Sequence, residues 1–461
     1  MRSAEHTDAD SVRPAYAGRY FAEPVPKFAL PPDGMPADAA YQLIHDELNL
    51  DGNPALNLAS FVTSWMEPQA DRLANETLNK NLIDQDEYPA SGEIHHRVIS
   101  ILARLFNAPQ DCEPVGTATI GSSEAIMLGV LAHKRAWQKR CRAEGRSHAQ
   151  PNIVMGGDVH TCWEKFANYF DVEARIAPML EDSFVLSVDD VRSRVDQDTI
   201  AVAGLLGTTF TGQMDDLEGI NDLLAGLESD RGWRVPLHID AASGGFVAPF
   251  TEPKLKWDFR LSQVRSINVS NHKFGLVYPG MGSVVFRDRS DIPDELVFHI
   301  NYLGGDMPNY TLNFSRPAAP VILQYYNFLR LGHDGYTRIM SSVMDNARHL
   351  AGALDATTEL SLLAPVERFP IIALRAREPD ALDVFALSEK LRESGWIVPA
   401  YTLPPDAQHI AILRVVVKEN FSRDMVDKFV DDVSSALKRL QRGGAATGGG
   451  ADPSTRTHAI C

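Results

Sequence analysis

The runs Asn152–Met155, Ile200–Leu206, Val235–Ile239, Ser266–Val269 and Gly282–Phe286 carry no charged side chain, and most give way to glycine or a polar residue. Runs of this length and composition read as strands buried on both faces. Helical patterns separate the earlier ones, so the strands call for crossover connections and a mostly parallel sheet covered on each side, an α/β architecture. Open sheets of that kind place ligands outside the carboxyl ends of their strands. The residues just beyond each run are therefore where chemistry is to be sought.

Three such ends stand out. Ser266–Gly275 reads as a strand that stops in a His272–Lys273 pair, with a glycine just beyond. Burial beside another basic group lowers a lysine's pKa, and a neutral amine can condense with an aldehyde. A His-Lys dipeptide in an ordinary loop is the plainer alternative. In Val235–Gly245 apolar residues lead into Asp240 and small residues follow, which puts this carboxylate at the end of a buried strand. There it can keep the ring nitrogen of a pyridine cofactor protonated, or it can merely cap the next turn. Thr117–Leu131 is a glycine–serine turn opening an apolar helix. Free N–H groups and the positive end of the helix dipole make such a start an anion site, with Ser122 and Ser123 as phosphate candidates. The alternative is an ordinary N-cap with Glu124 in the first turn.

Anion-binding serines, then a carboxylate, then a lysine, each at the end of its own strand, follow the order of fold-type I enzymes of pyridoxal 5′-phosphate (PLP). Leu237–Phe246 and Ser270–Gly275 resemble the group II PLP decarboxylases. Within that group Ile120–Ala125, Asn79–Pro89, Trp257–Arg260, Tyr302–Gly305 and Asn313–Pro317 are similar to the glutamate decarboxylase family, bacterial members included, and the matches run from about Tyr41 to Phe421. The resemblance implies a large domain with a mostly parallel seven-stranded sheet between helices, and a smaller C-terminal α+β domain. It implies PLP as cofactor and decarboxylation of glutamate to 4-aminobutanoate and carbon dioxide, with one proton consumed. The alternative on the same motifs is a PLP decarboxylase of another amino acid, short and acidic or aromatic. An aminotransferase or carbon–sulfur lyase would not share so many decarboxylase motifs, and a scaffold without chemistry should have lost Lys273 or Asp240.

Composition suits a water-soluble enzyme. A chain of 461 residues is long enough for two or three domains. A net charge of −17 argues against nucleic acid and against a polybasic membrane anchor. The cysteines Cys112, Cys141, Cys162 and Cys461 lack paired ligand spacing, so neither a metal site nor a disulfide framework is indicated, and a reducing cytoplasm is expected. No signal peptide or membrane span is apparent. Expected divisions are an N-terminal arm over residues 1–57, a large PLP-binding domain over 58–343, a small domain over 344–442 and a flexible tail over 443–461. Pro370–Arg375 and Ile410–Val417 read as strands of the small domain, between helices around Leu387 and Val426.

Other roles are what the resemblance implies. Lys273, Asp240 and His160 form the catalytic set, with His160 stacked on the cofactor ring. Thr209 brings a hydroxyl to the cofactor, and His272 joins Ser122 and Ser123 at the phosphate. Ser315 reaches the phosphate of a neighbouring subunit, so a dimer is the minimum, with a hexamer left open. Arg414 takes the substrate α-carboxylate. Ser60, Phe61, Asn81 and Asp84 take the distal carboxylate, the last two from the partner subunit. Asp84 beside a substrate carboxylate should share a proton with it, which favours binding at acidic pH. Two positions depart from the family pattern. Ser60 stands for threonine and should loosen the pocket. Asn271 stands for glycine, where asparagine tolerates a positive φ better than other side chains. The tail from Arg442 lacks the basic, tryptophan-bearing calmodulin site of plant members, and His458 is a candidate latch over the site against the plainer reading of a solvated tail residue.

Overall fold

The computed structural model describes residues 25, 27–181, 183–301 and 307–443. Two compact units form, one ending at Asn53 and one beginning at Pro54. The first contains α1 (Ala37–Leu48), none of whose residues is buried. In the second, α2 (Pro68–Thr77) and α3 (Pro89–Leu105) each begin on a proline, whose fixed φ and missing N–H suit a first helical turn.

The main sheet comprises β1 (Val115–Thr119), β2 (Asn152–Gly156), β3 (Glu173–Ala177), β4 (Thr199–Leu205), β5 (Leu237–Asp240), β6 (Val264–Val269) and β7 (Gly282–Phe286). Its seven strands lie in the order β1-β7-β6-β5-β4-β2-β3, and only β7 runs against its neighbours. The mostly parallel seven-stranded sheet expected from the sequence is thus the observed one. Every residue of β2, β4, β5 and β7 is buried, which accounts for their uninterrupted apolar runs. The edge strand β3 is exposed along most of its length and carries Glu173 and Arg175, so it has no such run.

Helices α4 (Ser122–Ala143), α5 (Thr161–Tyr169), α6 (Val188–Arg194) and α7 (Leu217–Arg231) follow successive strands. α4 packs on β4, β6 and β7. Its first turn lies so close to the start of β7 that a Cβ on Gly282 would fall 2.6 Å from the Ser122 nitrogen. Only glycine leaves room for that approach. After the single turn α8 (Ala248–Thr251) and the pair β8 (Phe298–Ile300) and β9 (Met307–Asn309) comes α9 (Ala319–Asp355), broken at Gly332, where φ is 58°. α9 packs against α2 and α3 and runs on past residue 343.

A smaller antiparallel sheet follows, β10 (Leu360–Leu362), β11 (Ile371–Ala376), β12 (Ala400–Thr402) and β13 (Ala411–Val416), in the order β10-β11-β13-β12. Helices α10 (Val384–Arg392) and α11 (Arg423–Gly443) pack on each other beside it. The segment after Asn57 threads between the two sheets. Leu58 accepts from the Val416 N–H at 2.9 Å and donates to the Ile397 carbonyl at 3.0 Å. Among the described residues no helix is long and apolar enough to cross a membrane.

Candidate active site

Lys273 sits in a turn just beyond β6, and three separate elements hold that turn. The Thr63 hydroxyl donates to the Lys273 carbonyl at 2.7 Å, and the Thr63 N–H donates to the His272 carbonyl at 2.9 Å. From α9, the Tyr336 hydroxyl donates to the Gly275 carbonyl at 2.9 Å and Asn327 Nδ2 to the Leu276 carbonyl at 2.6 Å. The structure corrects the expectation for Asn271. It does not adopt a positive φ; Leu276 does, at 64°. Asn271 is fully buried, donates to Gln324 Oε1 at 3.0 Å and accepts from Ser283 Oγ at 2.8 Å, so its amide cross-links the lysine turn to α9 and β7.

The turn faces a cavity of about 420 Å³ at the carboxyl edge of the main sheet. Ser122, Ser123, His160, Thr209, Asp240, His272 and Lys273 all line it, so seven of the expected site residues converge there. Lys273 Nζ donates to Ser243 Oγ at 3.2 Å. Burial lowers its pKa to about 8, against the opposing pull of Asp240 and Cys162, with Arg414 adding to the lowering. The second basic group is therefore Arg414 rather than His272. His272 Nδ1 instead accepts from the Met281 N–H at 3.2 Å, and burial followed by the Lys273 charge brings its own pKa down to about 4.

At the other end of the cavity Ser122 and Ser123 open α4, and Ser122 Oγ lies 2.7 Å from Ser270 Oγ. Glu124 reaches back to accept from the Ile120 N–H at 2.8 Å and ties the helix start to Leu312 and Asn313. Asp240, the last residue of β5, accepts from Trp163 Nε1 at 3.0 Å and from Asn268 Nδ2 at 2.9 Å. His160 is the N-cap of α5, with Nδ1 accepting from the Cys162 N–H at 3.3 Å; burial of its ring lowers its pKa, Asp240 opposing.

Beside the cavity, the Phe61 ring lies between two cations, with Lys273 Nζ 4.6 Å and Arg414 Cζ 5.0 Å from its centroid. Arg414, on β13, is buried; it donates to the Thr209 carbonyl at 3.2 Å and to the Ala59 carbonyl, while its Nε has no partner. Ser60 precedes Phe61 and turns its Oγ to the Val62 N–H at 3.1 Å. Asn81, Asp84 and Ser315 do not line the cavity. Asn81 and Ser315 meet each other instead, Nδ2 to Oγ at 3.3 Å. Tyr302–Gly305 and His458 lie outside the described residues, apart from what their sequence suggests.

The lining residues absent from the sequence-based set include Asp158, Cys162, Ser243 and Ser270. Ser243 and Ser270 stand within the two stretches that single out Asp240 and Lys273, and their position after a buried strand was the available signal. The donor set suits PLP. Hydroxyls at a helix start meet a phosphate, a lowered lysine amine meets an aldehyde, and a carboxylate at the far wall meets a ring nitrogen. A cavity of this size falls in the range of roughly 300–1,000 Å³ typical of small-molecule sites.

Comparison with known proteins agrees with this chemistry. Residues 31–377 match the model of the pyridoxal-dependent decarboxylase conserved domain. The chain is 50% identical over 444 residues to glutamate decarboxylase 5 of Arabidopsis thaliana, covering 96% of this chain and 90% of that protein. It is 42% identical over 420 residues to glutamate decarboxylase beta of Listeria innocua, covering 90% of each. Among solved structures, Lactobacillus brevis glutamate decarboxylase superposes with a TM-score of 0.91 at 42% identity, over 94% of this chain and 99% of that one.

Proposed function

The chain belongs to the pyridoxal-dependent decarboxylase family, and on that premise we propose that it converts L-glutamate to 4-aminobutanoate and carbon dioxide. Bound in the cavity, PLP supplies a conjugated ring that takes up the electron pair of a breaking bond at Cα. Ser122, Ser123 and the free N–H groups of α4 hold its phosphate, with His272 beside them. Lys273 Nζ would hold its aldehyde carbon, Asp240 would keep the ring nitrogen protonated, and His160 and Thr209 would line the ring's pocket.

Arg414 binds the α-carboxylate. A buried guanidinium with an unpartnered Nε is a ready donor to a planar anion. Phe61 separates that anchor from Lys273 and keeps water from between them. Loss of carbon dioxide leaves Cα short of a proton, and Lys273 Nζ, with its pKa near 8, can deliver it and recover it from solvent. Ser60 and Phe61, with Asn81 and Asp84 from a second copy, bind the distal carboxylate, and Ser315 of that copy reaches the phosphate. A dimer is then the smallest complete unit. Free thiols at Cys112, Cys141 and Cys162 support a cytoplasmic setting.

The observation that carries this reading is the Lys273 amine, buried in the wall of the cavity that Asp240 also lines, with its pKa lowered to about 8. The test is carbon dioxide and amine release by PLP-loaded protein offered glutamate, aspartate or an aromatic amino acid, at mildly acidic and neutral pH. Turnover of glutamate alone, lost in Lys273→Ala, is expected, with a KM that falls toward acidic pH. Turnover of another amino acid in place of glutamate would overturn the substrate and leave the chemistry.

A further inference from the structure

Behind Asp240 lies a line of polar side chains that the reaction above does not use. His133 on α4, His238 on β5, and Ser266 and Asn268 on β6 are all buried. His133 Nε2 lies 2.7 Å from Ser266 Oγ, and Ser266 Oγ lies 2.6 Å from His238 Nδ1. His238 Nε2 lies 2.8 Å from Asn268 Oδ1, and Asn268 Nδ2 lies 2.9 Å from Asp240 Oδ1.

The chemistry of each atom gives this chain a direction. A carboxylate only accepts, so Asn268 turns its amide N–H toward Asp240 and its carbonyl toward His238. That carbonyl must accept from a proton on His238 Nε2. With its proton there, His238 has a bare Nδ1, which accepts from the Ser266 hydroxyl, and Ser266 Oγ in turn accepts from His133 Nε2. Every donor points the same way, and the chain ends on Asp240. The Asn268 amide nitrogen also lies 3.3 Å from Ser122 Oγ, so one side chain touches both the carboxylate and the helix-start hydroxyl that line the cavity.

We propose that His238 and Asn268 are positioning residues: the one-way chain fixes the Asn268 amide, which aims Asp240 into the cavity and ties that aim to the Ser122 hydroxyl. The inference rests on Asp240 being the ring-nitrogen partner. Packing supports it independently. A Cβ on Gly129 of α4 would fall 2.6 Å from His238 Cε1 and 2.8 Å from its Nδ1, so the helix backbone closes tightly on the ring and leaves it little room to move. Burial lowers the pKa of His238 to about 4, with Asn268 and Asp240 opposing. Burial, with His238, Arg265 and Arg140 adding to it, drives that of His133 well below the usual histidine range. Both rings are neutral in mildly acidic and neutral solution, so the direction of the chain holds there.

The test compares PLP-loaded His238→Leu, His238→Gln, Gly129→Ala and Asp240→Asn by cofactor dissociation constant, the pH titration of the bound cofactor's visible absorbance, kcat and KM. His238→Leu should weaken PLP binding about tenfold, shift the absorbance titration and lower kcat, with KM for glutamate little changed. His238→Gln places an amide N–H near the position of Nε2 and should restore most of each. Gly129→Ala removes no polar group, yet it should change the spectrum in the same direction as His238→Leu.

If His238→Leu and Gly129→Ala keep the parent spectrum and affinity while Asp240→Asn loses them, the chain is packing only and the inference fails. If Asp240→Asn itself keeps spectrum and turnover, the reading of Asp240 fails first. Should His238→Leu not fold, Gly129→Ala and His238→Gln decide the matter: a parent-like spectrum in Gly129→Ala overturns the inference.

Discussion

Asp240, which ends β5, and Asp158, which follows β2, are buried carboxylates lining the same cavity, yet their surroundings are opposite. Both oxygens of Asp240 accept, from Trp163 Nε1 on one side and from Asn268 Nδ2 and the Ala242 N–H on the other. Neither oxygen of Asp158 has a partner. The nearby Thr208 hydroxyl donates to the Asp158 backbone carbonyl instead, at 3.2 Å. Burial raises the pKa of Asp158 to about 7; its own N–H and the Thr208 hydroxyl lie near enough to oppose the rise without forming a well-aligned hydrogen bond, and Asp240 adds to it. In a dry site a carboxylate is a fixed acceptor only where donors are already in place. Without them its charge follows pH. One aspartate is thus held by fixed donors, and the other can change state within the range where an enzyme works.

The strongest way to break this comparison is to remove the ordered acceptor. Asp240→Asn presents an amide where a charge is needed, and kcat/KM for glutamate should fall by at least about 100-fold. A fall of less than tenfold in steady-state assays would mean that Asp240 is no more used than Asp158. A milder change takes one donor away. Trp163→Phe keeps a ring against His238, whose centroid lies 5.4 Å from the indole, but loses the N–H to Asp240. Hydrogen bonds to charged groups contribute roughly 1.5–3 kcal/mol, so about a tenfold loss in kcat/KM is expected. The cofactor should titrate at a shifted pH in the same variant. Unchanged kinetics and spectrum would show that Asn268 and the backbone suffice to hold Asp240.

The ordered half of this contrast was largely legible in the sequence, and the unpartnered half was not. Asp240 and Lys273 each come at the end of an apolar run, so the sheet that buries the run also fixes the place of the reactive group, and Ser122 opens an apolar helix. β5, β6 and β7 were readable for the same reason, whereas β3, exposed at the sheet edge, offered no run to read. Asn271 was misread because its partners, Ser283 and Gln324, come from another strand and a distant helix. The basic neighbour of Lys273 was sought in the adjacent His272 but is Arg414 on the smaller sheet, brought close by the segment that carries Phe61. The isolation of Asp158 is a lack of partners in three dimensions, which no local pattern of residues encodes.

That isolation makes a stability measurement the most selective. The ordinary pKa of an aspartate, 3.8, applies to Asp158 in the unfolded chain, and the folded value is near 7. Between those values the folded state binds more protons than the unfolded one, so stability is lost as pH rises through the interval. Below 3.8 there is no penalty, and above 7 the penalty is complete. Asp158→Asn cannot ionise, so in the apoprotein it should gain stability at pH 8, by up to about 4 kcal/mol if the whole shift from 3.8 to 7 is expressed, and nothing near pH 3.8. Urea unfolding at the two pH values measures the difference directly. A gain of equal size at both would mean that the amide had found new hydrogen bonds. A loss at pH 8 would mean that the Asp158 charge is compensated in the folded protein, and the contrast with Asp240 would disappear.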